Sequence, residues 1–522
     1  MRTLWADWRA TLPYRRYFDW EDRPRRLRAQ LFCLLTLLSG AAYLGWLAIQ
    51  ARELGTLSTY LMMSAEVAAY FLLIILSLDI WRLRFHRPEG LVPDRPYAVD
   101  VLVTCCGEPL EVIRTTLAAV QRLHYTPYTV YVLDDAGDER VEALAQALGF
   151  LYYSRVKEKL PRQDAKSGNL NFGLRLSGSE IILVLDADQV PRPDIISRMV
   201  GFFRLPKVAY VQSRQDFLLP DGDPFYNRDD VFYEAIQLSN DQANAVISCG
   251  SGVLYRRQAL QEMGGFATWN IVEDFTTSYE LVSRGWQGIY FPYALSRGLA
   301  PDTLVGVVQQ RYQWCLDAMR LFFWDNPLRK KGLNWLQRLH FAIVMLAYAI
   351  SGLVIPIFYF LPLYCYVTGR SFLVEQEPTY LLFRGVYLVL TILAFRYLFF
   401  RKDSLKQLKM LCGLFPVYAW GTISALWYPP GRKPPYRVNL PFTPQPLRTF
   451  LVILPHLSII GLHLALPFLA LADGWASPRL IAANAPFSAF TLWVLGEMIF
   501  LALSRPRWQT ETRPDVVYNG EM

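Results

Sequence analysis

Hydrophobic residues along this chain fall into two kinds of segment. Long apolar runs lie near both ends, whereas a central region alternates short β-branched runs with amphipathic stretches. An apolar run of about 20 residues is long enough to span a bilayer as a helix. Short strands that alternate with helices are typical of a mostly parallel sheet covered by helices. The pattern therefore predicts a soluble α/β domain placed between membrane segments.

The clearest predicted strand runs from Ile181 to Asp186, and Asp188 follows it two positions later. Five apolar residues that stop at a carboxylate are typical of a buried strand with a polar carboxyl end. In open α/β sheets, ligands bind beyond these ends. The two acids would suit Mg²⁺ or Mn²⁺ on a diphosphate. Two acids after a strand also form ordinary solvated turns, so this motif alone leaves both interpretations open.

Other strands and helices are predicted around this one. Strands are expected at Tyr97–Thr104 and Thr129–Leu133, with helices at about 109–123 and 139–148. Residues Lys166 to Asn169 are expected in a loop that precedes a further helix. A mixed, mostly parallel sheet follows from this alternation.

The hydropathy pattern places membrane segments on both sides of this domain. Six spans are predicted, at about 29–51, 57–81, 340–368, 379–400, 450–471 and 481–503. Residues 403–428, which mix lysines with Trp420 and Trp427, are predicted to form an interfacial helix. The predicted divisions are a basic arm (1–28), a two-span hairpin (29–82), the α/β domain (97–325), two spans (335–402), an interfacial helix and loop (403–447), two spans (448–504) and a tail (505–522).

Composition and charge support a membrane protein. The chain is 53% hydrophobic and carries a net charge of +8. Arg82, Arg84 and Arg87 follow the second predicted span, so the positive-inside rule places the α/β domain and both termini in the cytoplasm. This predicts a multi-pass protein of the inner membrane. No basic stripe indicates nucleic-acid binding, and the seven scattered cysteines do not indicate a disulfide framework.

Motifs in the predicted domain follow a recognisable order. They are Glu108-Pro109, Asp134-Asp135, Lys166-Ser167-Gly168-Asn169, Asp186-Ala187-Asp188, Cys249-Gly250-Ser251, Glu273-Asp274 and Gln310-Arg311-Tyr312-Gln313-Trp314. With them the chain resembles the membrane-embedded family-2 glycosyltransferases, most closely bacterial cellulose synthase catalytic subunits. The resemblance implies a GT-A-type domain inserted between transmembrane helices.

The resemblance also implies roles for individual residues. The implied base is Asp274, next to Glu273, and the implied metal ligands are Asp188 and Asp186. The implied donor-binding residues are Asp134, Asp135, Lys166, Asp186, Glu108, Gln310 and Arg311. The implied acceptor-binding residues are Trp314, Cys249, Gly250 and Ser251. The same comparison implies Mg²⁺ or Mn²⁺ as cofactor.

Two departures from the family pattern affect these expectations. Gln313 stands where the family has an arginine near the diphosphate, and Arg311 is expected to point elsewhere on a helix. Tyr436, Val438 and Asn439 occupy the place of a gating loop, although a plain cytosolic linker is the rival interpretation. Donor binding and loop function are therefore the parts of the family pattern that these departures affect.

Three functions remain open at this point. The first is a processive inverting synthase that makes a β-linked polysaccharide, with UDP-glucose favoured over UDP-N-acetylglucosamine and GDP-mannose, and translocates it. Its partners would be the donor, the nascent polysaccharide, the lipid bilayer and accessory export subunits, but no nucleic acid. The second is a non-processive enzyme that adds one sugar to a lipid carrier. The third is an inactive membrane scaffold.

Overall fold

A computed structural model describes the parts of the chain on which the site depends. The described residues are 23–81, 91–219, 223–372, 377–398, 404–435 and 445–504. The gating-loop residues Tyr436, Val438 and Asn439 lie outside them, as do most of the predicted basic arm and all of the predicted tail. Predictions for those segments stay predictions.

The central domain contains one mixed sheet. Its strands are β1 (Val99–Cys105), β2 (Tyr128–Asp134), β3 (Leu151–Tyr153), β4 (Ile181–Asp186), β5 (Val190–Pro191), β6 (Val208–Leu218), β7 (Val253–Arg256) and β8 (Gln287–Leu299). The eight strands lie in the order β3-β2-β1-β4-β7-β6-β8-β5. β3, β2, β1 and β4 are parallel neighbours, whereas β7 is antiparallel to both β4 and β6. The predicted mixed, mostly parallel sheet is therefore confirmed.

Both faces of the sheet are covered, which explains the unbroken apolar run of β4. Ile181, Leu183 and Leu185 pack into one hydrophobic cluster, and Ile182 and Val184 pack into the cluster on the opposite face. A strand buried on both faces has no need of polar alternation. The apolar run therefore ends only where β4 leaves the core, at Asp186.

Two helices precede the domain, and the helices that follow them connect the strands and flank the sheet. They are α1 and α2 before the domain (Arg23–Leu54 and Leu57–Trp81), then α3 (Leu110–Val120), α4 (Glu139–Ala147), α5 (Ala165–Leu176), α6 (Ile195–Met199), α7 (Gln237–Gln242), α8 (Arg257–Glu262), α9 (Glu273–Ser283) and α10 (Leu304–Trp324). A 3₁₀ turn (Val200–Arg204) and a π-helical turn (Phe232–Ile236) complete the connections.

The carboxyl-terminal part is helical throughout its described residues. Its helices are α11 (Trp335–Ala349), α12 (Ile355–Thr368), α13 (Glu377–Leu398), α14 (Ser404–Gly413), α15 (Phe415–Ala425), α16 (Pro446–Ala472) and α17 (Pro478–Leu503), with a π-helical turn at Ile350–Val354 joining α11 to α12. Within the described ranges, five helical segments are long and apolar enough to cross a membrane. They are Gln30–Leu54, Leu57–Ser77, Trp335–Thr368, Pro446–Ala472 and Pro478–Leu503. A sixth apolar helix, Pro378–Ala394, is shorter.

Two local predictions need correction. Lys166 to Asn169 were expected in a loop, but they form the first turn of α5, which starts after Asp164 takes a left-handed conformation with φ of 67°. Residues 403–428 were expected to form one helix, but the structure has α14 and α15. Pro416 lies in the first turn of α15, where its missing N–H costs nothing, and it could not continue α14.

Candidate active site

The carboxyl ends of three parallel strands bring the predicted acids to one edge of the sheet. Cys105 pairs in register with Asp134, and Thr104 pairs with Asp186. The loop before β7 passes the end of β4, and there Ser251 Oγ accepts a hydrogen bond of 2.9 Å from the Asp186 backbone N–H. Motifs that are far apart in sequence, and that were predicted to bind the donor and the acceptor, therefore meet at this edge.

Lys166 connects the predicted motifs to one another. Its Nζ lies 2.6 Å from Asp186 Oδ1 and 3.3 Å from Glu273 Oε1. The same amine donates a 2.8 Å hydrogen bond to the Gly250 carbonyl. Burial by itself disfavours the charged amine, but the two carboxylates outweigh it and raise the pKa of Lys166 well above its usual value. A fixed positive charge therefore stands between the end of β4 and the start of α9.

Asp274 lies in the first turn of α9, as predicted, next to the Gly250 turn. The Phe275 N–H donates a 2.6 Å hydrogen bond to Asp274 Oδ1. Gly250 has φ of +78°, and a Cβ there would lie 2.8 Å from Asp274 Oδ2 and 3.1 Å from Lys166 Nζ. Only glycine allows this conformation and this approach without strain.

The electrostatic surroundings of Asp274 suit a proton acceptor. Burial, followed by the negative charge of Glu273, raises the pKa of Asp274 to about 8. Removal from solvent is the larger of these two causes. A general base is most effective when its pKa lies near the operating pH.

Asp188 and Glu108 add negative charge to the same edge. Burial, and then the carboxylates of Asp186 and Glu108, raise the pKa of Asp188 to about 7. Glu108 accepts a 2.6 Å hydrogen bond from the Cys106 N–H, and burial raises its pKa as well. Because Lys166 is one cation among several acids, the site carries negative charge that a bound cation would neutralise.

The acids fit a divalent metal ion that takes some of its ligands from the protein and the others from a bound substrate. Among the described residues, no three His, Cys, Asp or Glu side chains are grouped to hold a metal ion by themselves. Mg²⁺ commonly takes one or two carboxylates and completes its octahedron with phosphate oxygens and water. Asp186 and Asp188 are carboxylates of this kind, and burial followed by the charge of Asp186 raises the pKa of Asp188.

The Asp134-Asp135 pair is already engaged by the protein. Asp134 accepts hydrogen bonds of 2.8 Å from two backbone N–H groups of the following loop and of 2.9 Å from the Tyr152 hydroxyl. Asp135 pairs with Arg155, whose Nε lies 2.8 Å from its carboxylate. These contacts hold the loop after β2 in one shape. The sequence analysis did not predict Arg155, since a buried partner 20 residues away leaves no local signal.

Arg311 contacts Trp314, the aromatic residue that was predicted to bind the acceptor. Its guanidinium lies 4.4 Å from the centroid of the Trp314 ring and forms a 3.1 Å ion pair with Asp229. Asp229 also accepts a 3.1 Å hydrogen bond from Gln407 of α14. Gln310 and Trp314, four residues apart on α10, share a face of that helix and are partly exposed. The structure therefore gives Arg311 a place beside Trp314, and its predicted part in donor binding stays a prediction.

Two glutamines of β6 fix the Cys249–Ser251 turn. The Cys249 N–H donates a 2.7 Å hydrogen bond to Gln212 Oε1, while Gln212 Nε2 donates to the Ser251 carbonyl at 3.0 Å. Gln215 Nε2 donates to the Cys249 carbonyl at 2.7 Å. Burial raises the pKa of the Cys249 thiol, so this cysteine is neutral. Neither glutamine was predicted, because strand positions give no sign of partners more than 30 residues away.

Comparison with protein families covers this site and part of the helical region. Residues 96–316 match a family model described as glycosyltransferase-like family 2. Residues 261–405 match a model described as cellulose synthase. The first match includes the whole sheet, and the second includes α9, α10 and α13.

Named relatives are cellulose synthases that are longer than this chain. The UDP-forming cellulose synthase catalytic subunit of Xanthomonas axonopodis pv. citri (strain 306) is 30% identical over 332 residues, which are 60% of this chain and 45% of that protein. Cellulose synthase 1 of Komagataeibacter xylinus is 30% identical over 354 residues, which are 64% of this chain and 22% of that protein. The chain thus spans less than half the length of these two relatives.

A solved structure with the same fold is a mannosyltransferase of Pyrobaculum calidifontis, determined with GDP-mannose and Mn²⁺. It superposes with a TM-score of 0.52 at 18% identity, over 70% of this chain and 99% of that one. At this identity the likeness bears on the fold alone, and the predicted GT-A-type domain is confirmed. The α/β domain of this chain is therefore similar to glycosyltransferases of family 2, and the region from α9 to α13 is cellulose synthase-like.

Proposed function

We propose that this protein is a processive inverting glycosyltransferase that polymerises UDP-glucose into a β-linked polysaccharide and translocates it across the membrane. The observation that supports this best is the ion-pair cluster around Lys166. It brings Asp186, on the donor side, and Glu273, next to the base Asp274, to one amine. A transferase needs the donor's leaving group and the acceptor's proton to be handled in one place.

The reaction follows from this arrangement. An acceptor hydroxyl oxygen attacks the anomeric carbon of the donor, and the bond from that carbon to the diphosphate oxygen breaks. The electron pair leaves with UDP, and the hydroxyl proton passes to Asp274. Direct attack inverts the anomeric centre, so an α-linked donor gives a β-linkage.

Other residues hold the two substrates. We assign Lys166, Glu108 and Gln310 to the donor, with Asp134 and Asp135 shaping the nucleotide end of the site. Mg²⁺ or Mn²⁺, held by Asp186 and Asp188, would neutralise charge on the leaving diphosphate. We assign the Cys249–Ser251 turn and Trp314 to the acceptor, since aromatic faces pack well on sugar rings.

The domain divisions stated above belong to the same proposal. With the α/β domain in the cytoplasm of an inner-membrane protein, the donor has access to the site from the cytosol. The six predicted spans would then carry the nascent chain outward, and accessory export subunits would receive it.

The test is the length of the product made by purified protein from labelled UDP-sugars with Mg²⁺ or Mn²⁺. We expect a polymer from UDP-glucose, none with excess chelator, and none from Asp274→Asn, which should still bind UDP. A single sugar that extracts with lipid would support a lipid-carrier enzyme instead. No transfer from any nucleotide sugar would favour the inactive scaffold.

A further inference from the structure

Among the described residues, the largest side chain that is fully buried lies outside the predicted site. Arg320, on α10, has no exposed surface. Its Nε donates a 2.8 Å hydrogen bond to the Tyr428 carbonyl, and its Nη1 donates at 2.7 Å to Asn270 Oδ1. A buried guanidinium is costly unless its N–H groups are satisfied by partners. The partners of Arg320 therefore show what holds it there.

Most partners of Arg320 are backbone carbonyls from two separate segments. Its Nη2 lies 3.1 Å from the Trp269 carbonyl, in the segment that leads into α9. The same nitrogen lies 3.4 Å from the Pro429 carbonyl and 3.3 Å from the Arg432 carbonyl, in the segment that follows α15. One side chain thus joins two loops that are far apart in sequence.

Asp317 completes this arrangement one helical turn earlier on α10. Its Oδ2 accepts a 2.7 Å hydrogen bond from the Val272 N–H, immediately before Glu273, and its Oδ1 lies 3.4 Å from Arg320 Nη1. The Asp317 carbonyl accepts from Asn270 Nδ2 at 3.0 Å. The backbone that enters α9 is therefore held at consecutive points by α10.

We propose that Asp317 and Arg320 are positioning residues for sugar transfer, which hold the segment Trp269–Val272, and with it Asp274, against the backbone of Tyr428–Arg432. This inference rests on the proposed role of Asp274 as the base. Neither residue touches the reacting atoms. Arg320 makes the position of the base depend on a segment that belongs to the membrane-proximal part of the chain.

Arginine is required for this role because of its donor geometry. A guanidinium presents five N–H donors in a planar fork, whereas a lysine has three donors at one point. Arg320→Lys keeps the charge but cannot reach both segments. The chain offers a control in Arg338, which likewise donates to three carbonyls, those of Leu328, Lys330 and Leu333, but within the described part of the chain bonds to neither segment.

The first test measures backbone protection by hydrogen exchange in the full-length protein, without substrate. In Arg320→Lys we expect faster exchange in both 269–272 and 428–432, with β4 unchanged. Arg338→Lys should leave both segments as in the parent. Unchanged exchange in either segment, or the same change in both variants, would overturn the proposal. If Arg320→Lys does not fold, the nearly isosteric Asp317→Asn should speed exchange at Val272. Unchanged exchange at Val272 in that variant would also overturn the proposal.

The second test is kinetic and is expressed per nucleotide-binding site, which removes the effect of any unfolded fraction. A displacement of a catalytic group by about 1 Å can cost on the order of a hundredfold in rate. We therefore expect Arg320→Lys and Asp317→Asn to lower kcat by roughly ten- to a hundredfold, with the donor KM within about twofold of the parent. An unchanged kcat would sink the proposal. A parent enzyme that transfers no sugar would contradict the proposed function, while the exchange test would still decide this one.

Discussion

At the scale of single residues, the site is defined by acids whose protonation the fold controls. Asp188 and Asp274 have pKa values raised to about 7 and about 8, while Lys166 stays charged beside Asp186 and Glu273. All of these groups face the carboxyl edge of the sheet. Small changes of pH near neutrality will therefore change the charge of the site.

The pH dependence of catalysis follows from these values. Asp274 must be ionised to accept a proton, and ionised Asp188 is needed to hold a cation. We expect kcat/KM to increase as the pH rises toward about 8 and to level off above it, because burial raises the pKa of Asp274 to about 8 and saturating metal keeps Asp188 ionised. The measurement is initial rate against pH at saturating metal. A constant or decreasing kcat/KM between pH values of about 6 and 8 would argue against Asp274 as the base.

The stability of the protein without nucleotide should depend on pH in the opposite direction, and decrease as the pH rises. The pKa of Asp274 is raised from 3.8 to about 8 in the folded protein, so its carboxyl group favours folding when protonated. That contribution is lost as the pH rises between these two values. Asp274→Asn should therefore raise the melting temperature more at a pH of about 8.5 than at about 5.

Asp138 provides the control of opposite sign for this experiment. Hydrogen bonds from Arg140 lower the pKa of Asp138 to about 2, and its carboxylate caps α4. Asp138→Asn should lower the melting temperature, with the full loss present above the unfolded pKa. Equal shifts of the melting temperature at both pH values for Asp274→Asn would contradict the raised pKa.

At the scale of elements, α10 carries contacts to nearly every part of the site. Trp314 and Arg311 lie toward Asp229 and α14, and the next turns hold the start of α9. A helix with 3.6 residues per turn can contact several neighbouring elements along its length, because residues three and four apart lie on the same face. α10 therefore links Trp314, the proposed acceptor residue, to the helix that carries Asp274, the proposed base.

This placement of Arg311 leads to a kinetic prediction. Because Arg311 packs on Trp314 and pairs with Asp229, Arg311→Gln should disturb the position of the Trp314 ring. We expect shorter polymers, with the donor KM within about twofold of the parent.

Gln313→Arg is the companion variant. If its side chain reaches the diphosphate, a charge-assisted bond of about 1.5–3 kcal/mol should lower the donor KM about tenfold or more.

A donor-side role for Arg311 would give the reverse pattern. Arg311→Gln would then raise the donor KM severalfold, with polymer length unchanged at saturating donor. Neutral effects of both substitutions would mean that this part of α10 does not approach either substrate.

What could be predicted from the sequence depended on how local each signal was. The β4 strand was predicted correctly, because its apolar run stops at Asp186 and so marks the end of the strand in the sequence itself. Lys166 was misplaced in a loop, since the left-handed turn at Asp164 that starts α5 has no distinctive composition. Gln212 and Arg320 were missed because their partners lie 37 and 50 to 112 residues away. Local pattern thus gave the elements, and packing between distant segments completed the site.

At the scale of the whole molecule, three membrane-region helices meet around a buried ion pair. Glu66 of α2 lies 3.0 Å from Arg384 of α13 and is 1% exposed. Tyr43 of α1 donates a 3.2 Å hydrogen bond to the same carboxylate, and the rings of Tyr43 and Tyr387 stack 5.9 Å apart. Charged residues inside a membrane region are costly unless paired in this way. The pair therefore fixes how the amino-terminal hairpin docks on α13.

Removal of one partner should be strongly destabilising. Arg384→Ala leaves Glu66 buried and unpaired, at a cost of about 3–5 kcal/mol. The double variant with Glu66→Ala should recover part of that loss. Lys409→Ala is the control, since Glu497, its partner at 2.7 Å, is 19% exposed whereas Glu66 is 1% exposed, so the carboxylate that is left behind can reach solvent and the loss of stability should be smaller. Thermal unfolding in detergent measures all of these, and similar melting temperatures for Arg384→Ala and Lys409→Ala would contradict the prediction.

The same ion pair imposes an order on the making of the protein. Glu66 leaves the ribosome before the catalytic domain, and Arg384 leaves after it. At about 5–20 residues per second, synthesis of the intervening chain takes on the order of ten seconds or more. Throughout that interval the carboxyl group of α2 has no guanidinium to meet, so it must stay protonated, hydrated or in contact with the insertion machinery. Nascent chains halted before residue 377 should therefore be substrates for membrane quality control, even though their first hairpin is complete.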